Sequence, residues 1–306
     1  MGKCQSKSTK DAGAIFRSPS QWPGTSHYTQ SQVRVTRKLR EWNDTDTRCK
    51  MMNNYMFIRP LGRGSQCQVF LVLETVRDRL FAGKIVPRSR LTQTEQEVLQ
   101  WIRHPNIVTL YEIIDDSAAD CVVLIMEYMT KGPVVNIRLE DGKTREGPLE
   151  EALVSVLLGD IVRALCYLHE HGVHHGDIKP DNILRSEACV KLADFGGAYV
   201  TGKASSPSHY TPAFVAPEGN TGAMSDVWSV GIVAYVLLAG FVPEVRQGGQ
   251  PLALPEGLSA VARSFLEVTL AIDSKDRYSA EALSAHPFVK GTNSQCDFVQ
   301  EFLVGT

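Results

Sequence analysis

Two short stretches of this chain hold residue types suited to chemistry on phosphate. The first is His175-Gly176-Asp177-Ile178-Lys179-Pro180-Asp181-Asn182, and the second, Asp194-Phe195-Gly196, begins twelve residues after Asn182. Moving a phosphoryl group onto a hydroxyl is mostly positioning and charge neutralisation, so a site for it needs a carboxylate near the attacking hydroxyl and oxygen ligands for magnesium. Asp177 has the type for the first task. Asn182 and Asp194 have it for the second, because hard Mg²⁺ prefers oxygen donors and fills its other positions with phosphate and water. Any one of these residues alone is an ordinary loop residue; as an ordered set they point to a site.

Such a site must be positioned by surrounding elements. An apolar strand leads into Leu61-Gly62-Arg63-Gly64-Ser65-Gln66-Cys67-Gln68-Val69, where glycines let backbone close over phosphates without a Cβ in the way. Fifteen residues after Val69 lies Lys84, at the end of Phe81-Ala82-Gly83-Lys84. The run from Asp120 to Met129 reads as a buried strand. Residues 137–150 are polar and turn-rich, and Glu150 to His171 then carries apolar residues at helical spacing up to the first stretch. A second apolar helix begins at Asp226-Val227-Trp228-Ser229-Val230-Gly231.

Taken together these stretches resemble the protein kinases. The first matches HRDxxxxN except that Gly176 replaces Arg, the second is the DFG, Leu61–Val69 resembles GxGxxGxV with Cys67 for the third glycine, and Lys84 falls at the VAIK lysine. Thr211-Pro212-Ala213-Phe214-Val215-Ala216-Pro217-Glu218 resembles the corresponding segment of Ser/Thr kinases. The resemblance spans about residues 55–290 and implies an α+β, two-lobed protein-kinase fold. A small β-rich N-lobe with one helix of the αC type (about 55–128) would sit on a larger, mainly helical C-lobe (about 129–290).

It also implies a Ser/Thr protein kinase that uses ATP and Mg²⁺ and acts on protein substrates, other kinases among them. Asp177, Lys179, Asn182, Lys84 and Glu95 would be catalytic, with Asn182 and Asp194 holding metal and Lys179 neutralising the phosphate in transit. Residues 61–69 with Ala82, Lys84, Met126, Glu127, Met129 and Leu184 would bind ATP. Met126 is the expected gatekeeper, Glu127 to Met129 the source of backbone bonds to adenine, and Val69, Ala82 and Leu184 the walls about the ring. Counting back nine residues from His104-Pro105-Asn106-Ile107-Val108 selects Glu95 as the partner of Lys84, with Glu97 as the alternative. Eleven residues from Lys84 to Glu95 is short, so the helix carrying Glu95 is expected to lack a turn or two. Leu99, Leu110, His175 and Phe195 should form the apolar stack between the lobes, Thr211 should bridge to Asp177 and Lys179, and Arg277 should pair with Glu218.

Within the kinases, Thr130-Lys131-Gly132-Pro133-Val134 and TPAFVAPE resemble the calcium/calmodulin-dependent protein kinase kinase group. Several features depart from the usual pattern. Gly176 removes the charge that an activation-segment phosphate on Ser205, Ser206 or Ser208 would neutralise, so activation by that route is not expected. The stretch Pro243 to Leu254 is too brief for a normal G helix. The residues after Phe288 carry only Lys290, Asp297 and Glu301 as charges, which is no basic amphipathic helix, so calmodulin is not an expected partner, and neither is nucleic acid. These departures leave an alternative from another class: a pseudokinase scaffold that binds nucleotide and partners without turnover.

Composition frames the rest. The 306 residues are 43% hydrophobic and 22% charged, ordinary globular material. Net charge is −2, yet residues 1–50 hold ten Lys/Arg against four Asp/Glu. Seven cysteines without a CxxC pair suit neither a disulfide framework nor a cysteine zinc site, and point to a cytoplasmic setting. No run of consecutive apolar residues approaches eighteen. Met1-Gly2-Lys3-Cys4-Gln5-Ser6 matches the N-myristoylation pattern at Gly2, with Cys4 placed for palmitoylation and Lys3, Lys7 and Lys10 adding positive charge. The expected layout is a basic, disordered extension bearing this membrane anchor at 1–32, a strand or hairpin lead-in at 33–54, the kinase domain at 55–290 and a tail at 291–306. The expected location is the cytoplasmic face of a membrane.

Overall fold

A computed structural model describes residues 33–43, 50–63, 67–91, 93–202, 210–244 and 251–290. The expected lipidation sites Gly2 and Cys4, the loop-tip residues Gly64, Ser65 and Gln66, the activation-segment serines and the tail 291–306 lie outside the described residues.

The N-terminal half builds one eight-stranded sheet from β1 (Arg34–Thr36), β2 (Glu41–Asn43), β3 (Lys50–Met52), β4 (Tyr55–Arg63), β5 (Gln68–Glu74), β6 (Arg79–Pro87), β7 (Leu110–Ile114) and β8 (Cys121–Met126). Their spatial order is β1-β7-β8-β6-β5-β4-β3-β2. Strands β4, β5 and β6 form an antiparallel meander, and inward positions along the sheet give a core of Met52 from β3, Tyr55 and Phe57 from β4, Val72 from β5, Phe81 from β6, Ile114 from β7, and Val123 and Ile125 from β8.

The lead-in segment is built into this sheet. Strand β1 runs parallel to β7, with Arg34 opposite Glu112, while β2 and β3 extend the opposite edge beside β4. Buried Glu112 explains the attachment: its carboxylate accepts from Tyr55 Oη at 2.7 Å, pairs with Arg34 at 2.6 Å and meets the Thr36 hydroxyl. Burial, with this carboxylate second, pushes the Tyr55 phenol up. Residues 37–40 cross between the two sheet edges, held by Asp115, Asp116 and Asn53.

Helix α1 (Gln93–Trp101) is nine residues long, the short helix that the Lys84 to Glu95 spacing requires. The C-lobe follows with β9 (Gly132–Pro133), α2 (Glu151–Glu170), β10 (Val173–His174), β11 (Ile183–Arg185), β12 (Val190–Leu192), β13 (Tyr199–Val200), α3 (Ala223–Ala239), α4 (Ala260–Thr269) and α5 (Ala280–Ser284). Helix α3 is apolar on every side because it lies inside the lobe, with 14 of its 17 residues buried. Helix α2 is long and apolar enough to cross a bilayer, but 67% of its apolar window is buried against the fold. Among the described residues no helix lies between α3 and α4.

One hydrophobic core joins the lobes. Leu99 of α1, Leu110 of β7 and Phe195 are all buried in it, and the fully buried His175 ring packs tilted against Phe195 with centroids 4.9 Å apart.

Candidate active site

The loop bearing Asp177 hangs from one buried carboxylate at the start of α3. Asp226 accepts the His175 amide on Oδ2 and the Gly176 amide on Oδ1, each at 2.9 Å, and bonds His169 Nε2 of α2 at 3.0 Å. Burial alone would raise the Asp226 pKa; the His169 hydrogen bond and the nearby positive field more than offset it, so the carboxyl titrates below its usual range. Gly176 has φ +75°, and a Cβ there would meet the Gly197 carbonyl oxygen at 2.4 Å, so the residue standing where kinases carry Arg is a structural need of this loop. Its own carbonyl accepts from Asn220 Nδ2 at 2.5 Å. His175 Nε2 bonds the Ala193 carbonyl at 3.0 Å, joining this loop to Asp194.

Asp177 is fixed at both carboxylate oxygens. Oδ2 accepts from Lys179 Nζ at 2.7 Å and Asn182 Nδ2 at 3.2 Å, and Oδ1 accepts from the Thr211 amide at 3.1 Å and hydroxyl at 3.0 Å. Lys179 also donates to Thr211 Oγ1 at 2.7 Å, completing the bridge expected of Thr211. A carboxylate so oriented, beside an ammonium, can receive the proton of an incoming hydroxyl while the lysine offsets phosphate charge.

Across the cleft, Lys84 Nζ of β6 lies 3.2 Å from Glu95 Oε1 and 2.8 Å from Asp194 Oδ1. Glu95, in the first turn of α1, therefore makes the pair for which Glu97 was the alternative. Burial opposes the Lys84 charge, and the Asp194 and Glu95 carboxylates outweigh it, so the ammonium is held more firmly than usual. Asp194 answers in kind: burial would raise its pKa, but Lys84 and the Gly196 amide bring it to about 2.

The donor set fits magnesium. Asp194 is ionised with its side chain 44% exposed, and Asn182 turns its amide nitrogen to the Asp177 carbonyl at 2.8 Å and to its carboxylate, which leaves the amide oxygen to act as ligand. Bound there, Mg²⁺ would neutralise nucleotide phosphates.

The nucleotide-side residues also converge. Gly62 pairs with Val69 and Arg63 with Gln68 on adjacent strands, so the hairpin is closed up to its tip; Leu61 is exposed. Val69 lies opposite Lys84, and Ala82 opposite both Leu71 and Met126. Met126 and Leu184 pack with Val108, Met129 and Ala193 in one small cluster, as a gatekeeper and a ring floor require. The half-buried Cys67 thiol lies near enough to Lys84 to contribute to its field. The Glu127 amide donates to the Thr109 carbonyl at 2.9 Å, so the backbone bond expected from Glu127 to a base falls to its carbonyl. Its side chain is a strut, paired with Lys191 at 2.8 Å.

Away from the cleft, Arg277 grips Glu218 through both guanidinium nitrogens at 2.6 and 2.8 Å and lies over the Trp228 ring at 4.9 Å. Sequence reasoning missed Asp226 as holder of the loop amides, Asn220 as the brace of Gly176, and Lys191. The Asp-Val-Trp at the start of α3 was a usable signal for the first; Asn220 had none.

This geometry defines a phosphoryl-transfer site on a two-lobed scaffold. Residues 55–289 match the protein kinase domain family, and the chain belongs to it. Among its relatives, the Serine/threonine-protein kinase GRIK1 of Arabidopsis thaliana is 33% identical over 294 residues, covering 86% of this chain and 73% of that protein. The Serine/threonine-protein kinase GRIK2 of the same plant is 33% identical, covering 85% and 70% respectively. The Serine/threonine-protein kinase ssp1 of Schizosaccharomyces pombe is 33% identical over 246 residues, covering 69% of this chain and 37% of that protein. The chain is a protein serine/threonine kinase that binds ATP and acts on protein substrates; among the described residues nothing in the site supports the scaffold alternative.

Proposed function

We propose that this kinase acts on other protein kinases, as in the calcium/calmodulin-dependent protein kinase kinase group, and does so from the cytoplasmic face of a membrane to which acyl chains on Gly2 and Cys4 hold it. The observation that carries the catalytic part is the assembled ion-pair set of Lys84 with Glu95 and Asp194 facing a fully braced Asp177. In the transfer step Asp177 receives the proton of the acceptor hydroxyl and Lys179 and Lys84 offset the charge on the moving and flanking phosphates; Asn182 and Asp194 would hold Mg²⁺, which would supply further neutralisation of those phosphates. The substrate group is supported by Thr130–Val134 after the hinge and by TPAFVAPE, and the anchor by the MGKCQS start with its nearby lysines. Because Gly176 leaves no arginine beside Asp177, the kinase is active without phosphate on its own activation segment.

The test is a peptide panel in which activation-segment threonine peptides from kinases compete with generic basic peptides. A preference of roughly tenfold in kcat/KM, about 1.4 kcal/mol, is expected for the former. Equal or reversed preference removes the substrate assignment. For the anchor, Gly2→Ala should move the protein from the membrane to the soluble fraction; unchanged fractionation would sink it.

A further inference from the structure

Behind the catalytic loop, on the side away from the nucleotide, three metal-ligating side chains meet from three elements. His169 comes from the last turn of α2, His174 from β10 and Asp226 from the first turn of α3. A ring nitrogen of each histidine and a carboxylate oxygen of Asp226 lie within 4.8 Å of one another. His174 is 8% exposed and Asp226 1%.

The phosphoryl-transfer chemistry makes no use of His174, and its hydrogen bonding is incomplete. Its Nε2 lies 2.8 Å from Thr201 Oγ1, while its Nδ1 is buried with no hydrogen-bond partner among the described residues. A buried polar nitrogen without a partner is destabilising by about 1–3 kcal/mol, so one is kept only where something relieves it. If Nε2–H donates to Thr201, Nδ1 carries an uncommitted lone pair. That is the arrangement by which a second-shell oxygen fixes the tautomer of a metal-binding histidine.

Solvent approaches the cluster on its His169 side. A cavity of about 190 Å³, roomy enough for several waters, is lined by His169 together with Cys166, Met224, Ser279 and the exposed carboxylates of Glu170 and Glu281. Two acids at an opening beside His169 attract cations.

We propose that His169, His174 and Asp226 form a zinc-binding site, with solvent from this cavity as the fourth ligand, separate from the magnesium ligands Asn182 and Asp194. Imidazole nitrogen suits zinc, whereas magnesium prefers all-oxygen sets, so the two sites select different ions. Tetrahedral zinc bonds of about 2.0–2.1 Å set donors roughly 3.3 Å apart, so it is the His174 nitrogen that must move inward. The His169 and Asp226 donors, 3.0 Å apart, are already near the needed spacing. On binding, the His169 proton moves from Nε2 to Nδ1, which frees the Nε2 lone pair for zinc and leaves the ring neutral. Since Asp226 also holds the His175 and Gly176 amides, the ion would tie α2, β10 and α3 to the catalytic loop.

The full-length chain, stripped of metal and kept in excess Mg²⁺, is titrated with Zn²⁺ against a chromogenic chelator, and the one-equivalent complex is examined by X-ray absorption. Expected are one zinc per chain, a shell of nitrogen and oxygen only, a higher Tm with zinc, and an affinity roughly a hundredfold weaker in His174→Val. Should His174→Val not fold, His174→Gln, which keeps a polar side chain but is a poor zinc ligand, gives the same reading. No zinc uptake by the wild type, sulfur in the shell, or wild-type affinity in the folded variant would each overturn the assignment.

Discussion

Replacing Gly176 by alanine puts a methyl group against backbone that has no room to receive it. The new Cβ would lie 2.4 Å from the Gly197 carbonyl oxygen and 3.2 Å from Asn220 Nδ2, in a residue with φ +75°. The left-handed conformation costs about 1–2 kcal/mol for a residue with a Cβ. Opening the clash needs a shift of the order of half an ångström or more in packed backbone, worth about 1–3 kcal/mol by analogy with overpacked cores. The total, about 2–5 kcal/mol, corresponds to a fall in Tm of roughly 5–15 °C for a domain of this size. The amide and the carbonyl of Gly176 are held by Asp226 and Asn220, and the residue leads directly into Asp177, so the shift reaches the base. Radiolabel transfer at saturating ATP should show kcat down roughly tenfold to a hundredfold. KM for ATP should be nearly unchanged, because Lys84 and the hinge are untouched. A folded Gly176→Ala with Tm within 2 °C and kcat within twofold of wild type would refute the reasoning.

Other substitutions probe other parts of the scaffold. Arg277→Lys should destabilise by about 3 kcal/mol in urea, because an ammonium cannot reproduce the bidentate pair with Glu218, the bonds to the Ala271, Met224 and Ile272 carbonyls and the stack on Trp228; a loss near zero contradicts the packing described. Glu95→Gln should lower kcat/KM at least tenfold and Glu97→Gln less than threefold, and the reverse order would mean that α1 is misregistered. Burial, with Arg163 and Lys191, holds His104 down to a pKa of about 4 against an ordinary 6.5, and its Nδ1 accepts the Asn106 amide. The unfolded chain therefore takes up the proton first. Stability from this group is complete above about pH 6.5 and falls between there and pH 4, by about 1–2 kcal/mol once its partial exposure to solvent is allowed for. His104→Gln should flatten that slope in urea unfolding at pH 7.5 and 5, and equal slopes would contradict it.

What could be read from the sequence was what phosphoryl transfer demands at short range. Asp177, Lys179, Asn182 and Asp194 sit within two local runs, and Lys84 ends a strand, so type and spacing located them. Glu95 was found by counting from His104 because α1 is a regular helix running up to that landmark. The supports were harder, since they act across the chain. Asp226 holds amides 50 residues away, and Asn220 a carbonyl 44 away, and no local pattern encodes either bond. Strand β1 has three residues, too few for an alternation to show, and its parallel place beside β7 depends on Arg34 meeting buried Glu112. The hinge amide of Glu127 was likewise claimed by Thr109 of the neighbouring segment.

The central claim is that Asp177, braced by Lys179, Asn182 and Thr211, serves a working kinase site. The most direct test is transfer of radiolabelled γ-phosphate from MgATP to serine/threonine peptides, wild type beside Asp177→Asn, with nucleotide binding measured on both. The account predicts robust transfer by the wild type and a loss of at least a thousandfold in a variant that still folds and binds nucleotide. A wild type that binds MgATP and transfers nothing, or a variant as active as its parent, would contradict it.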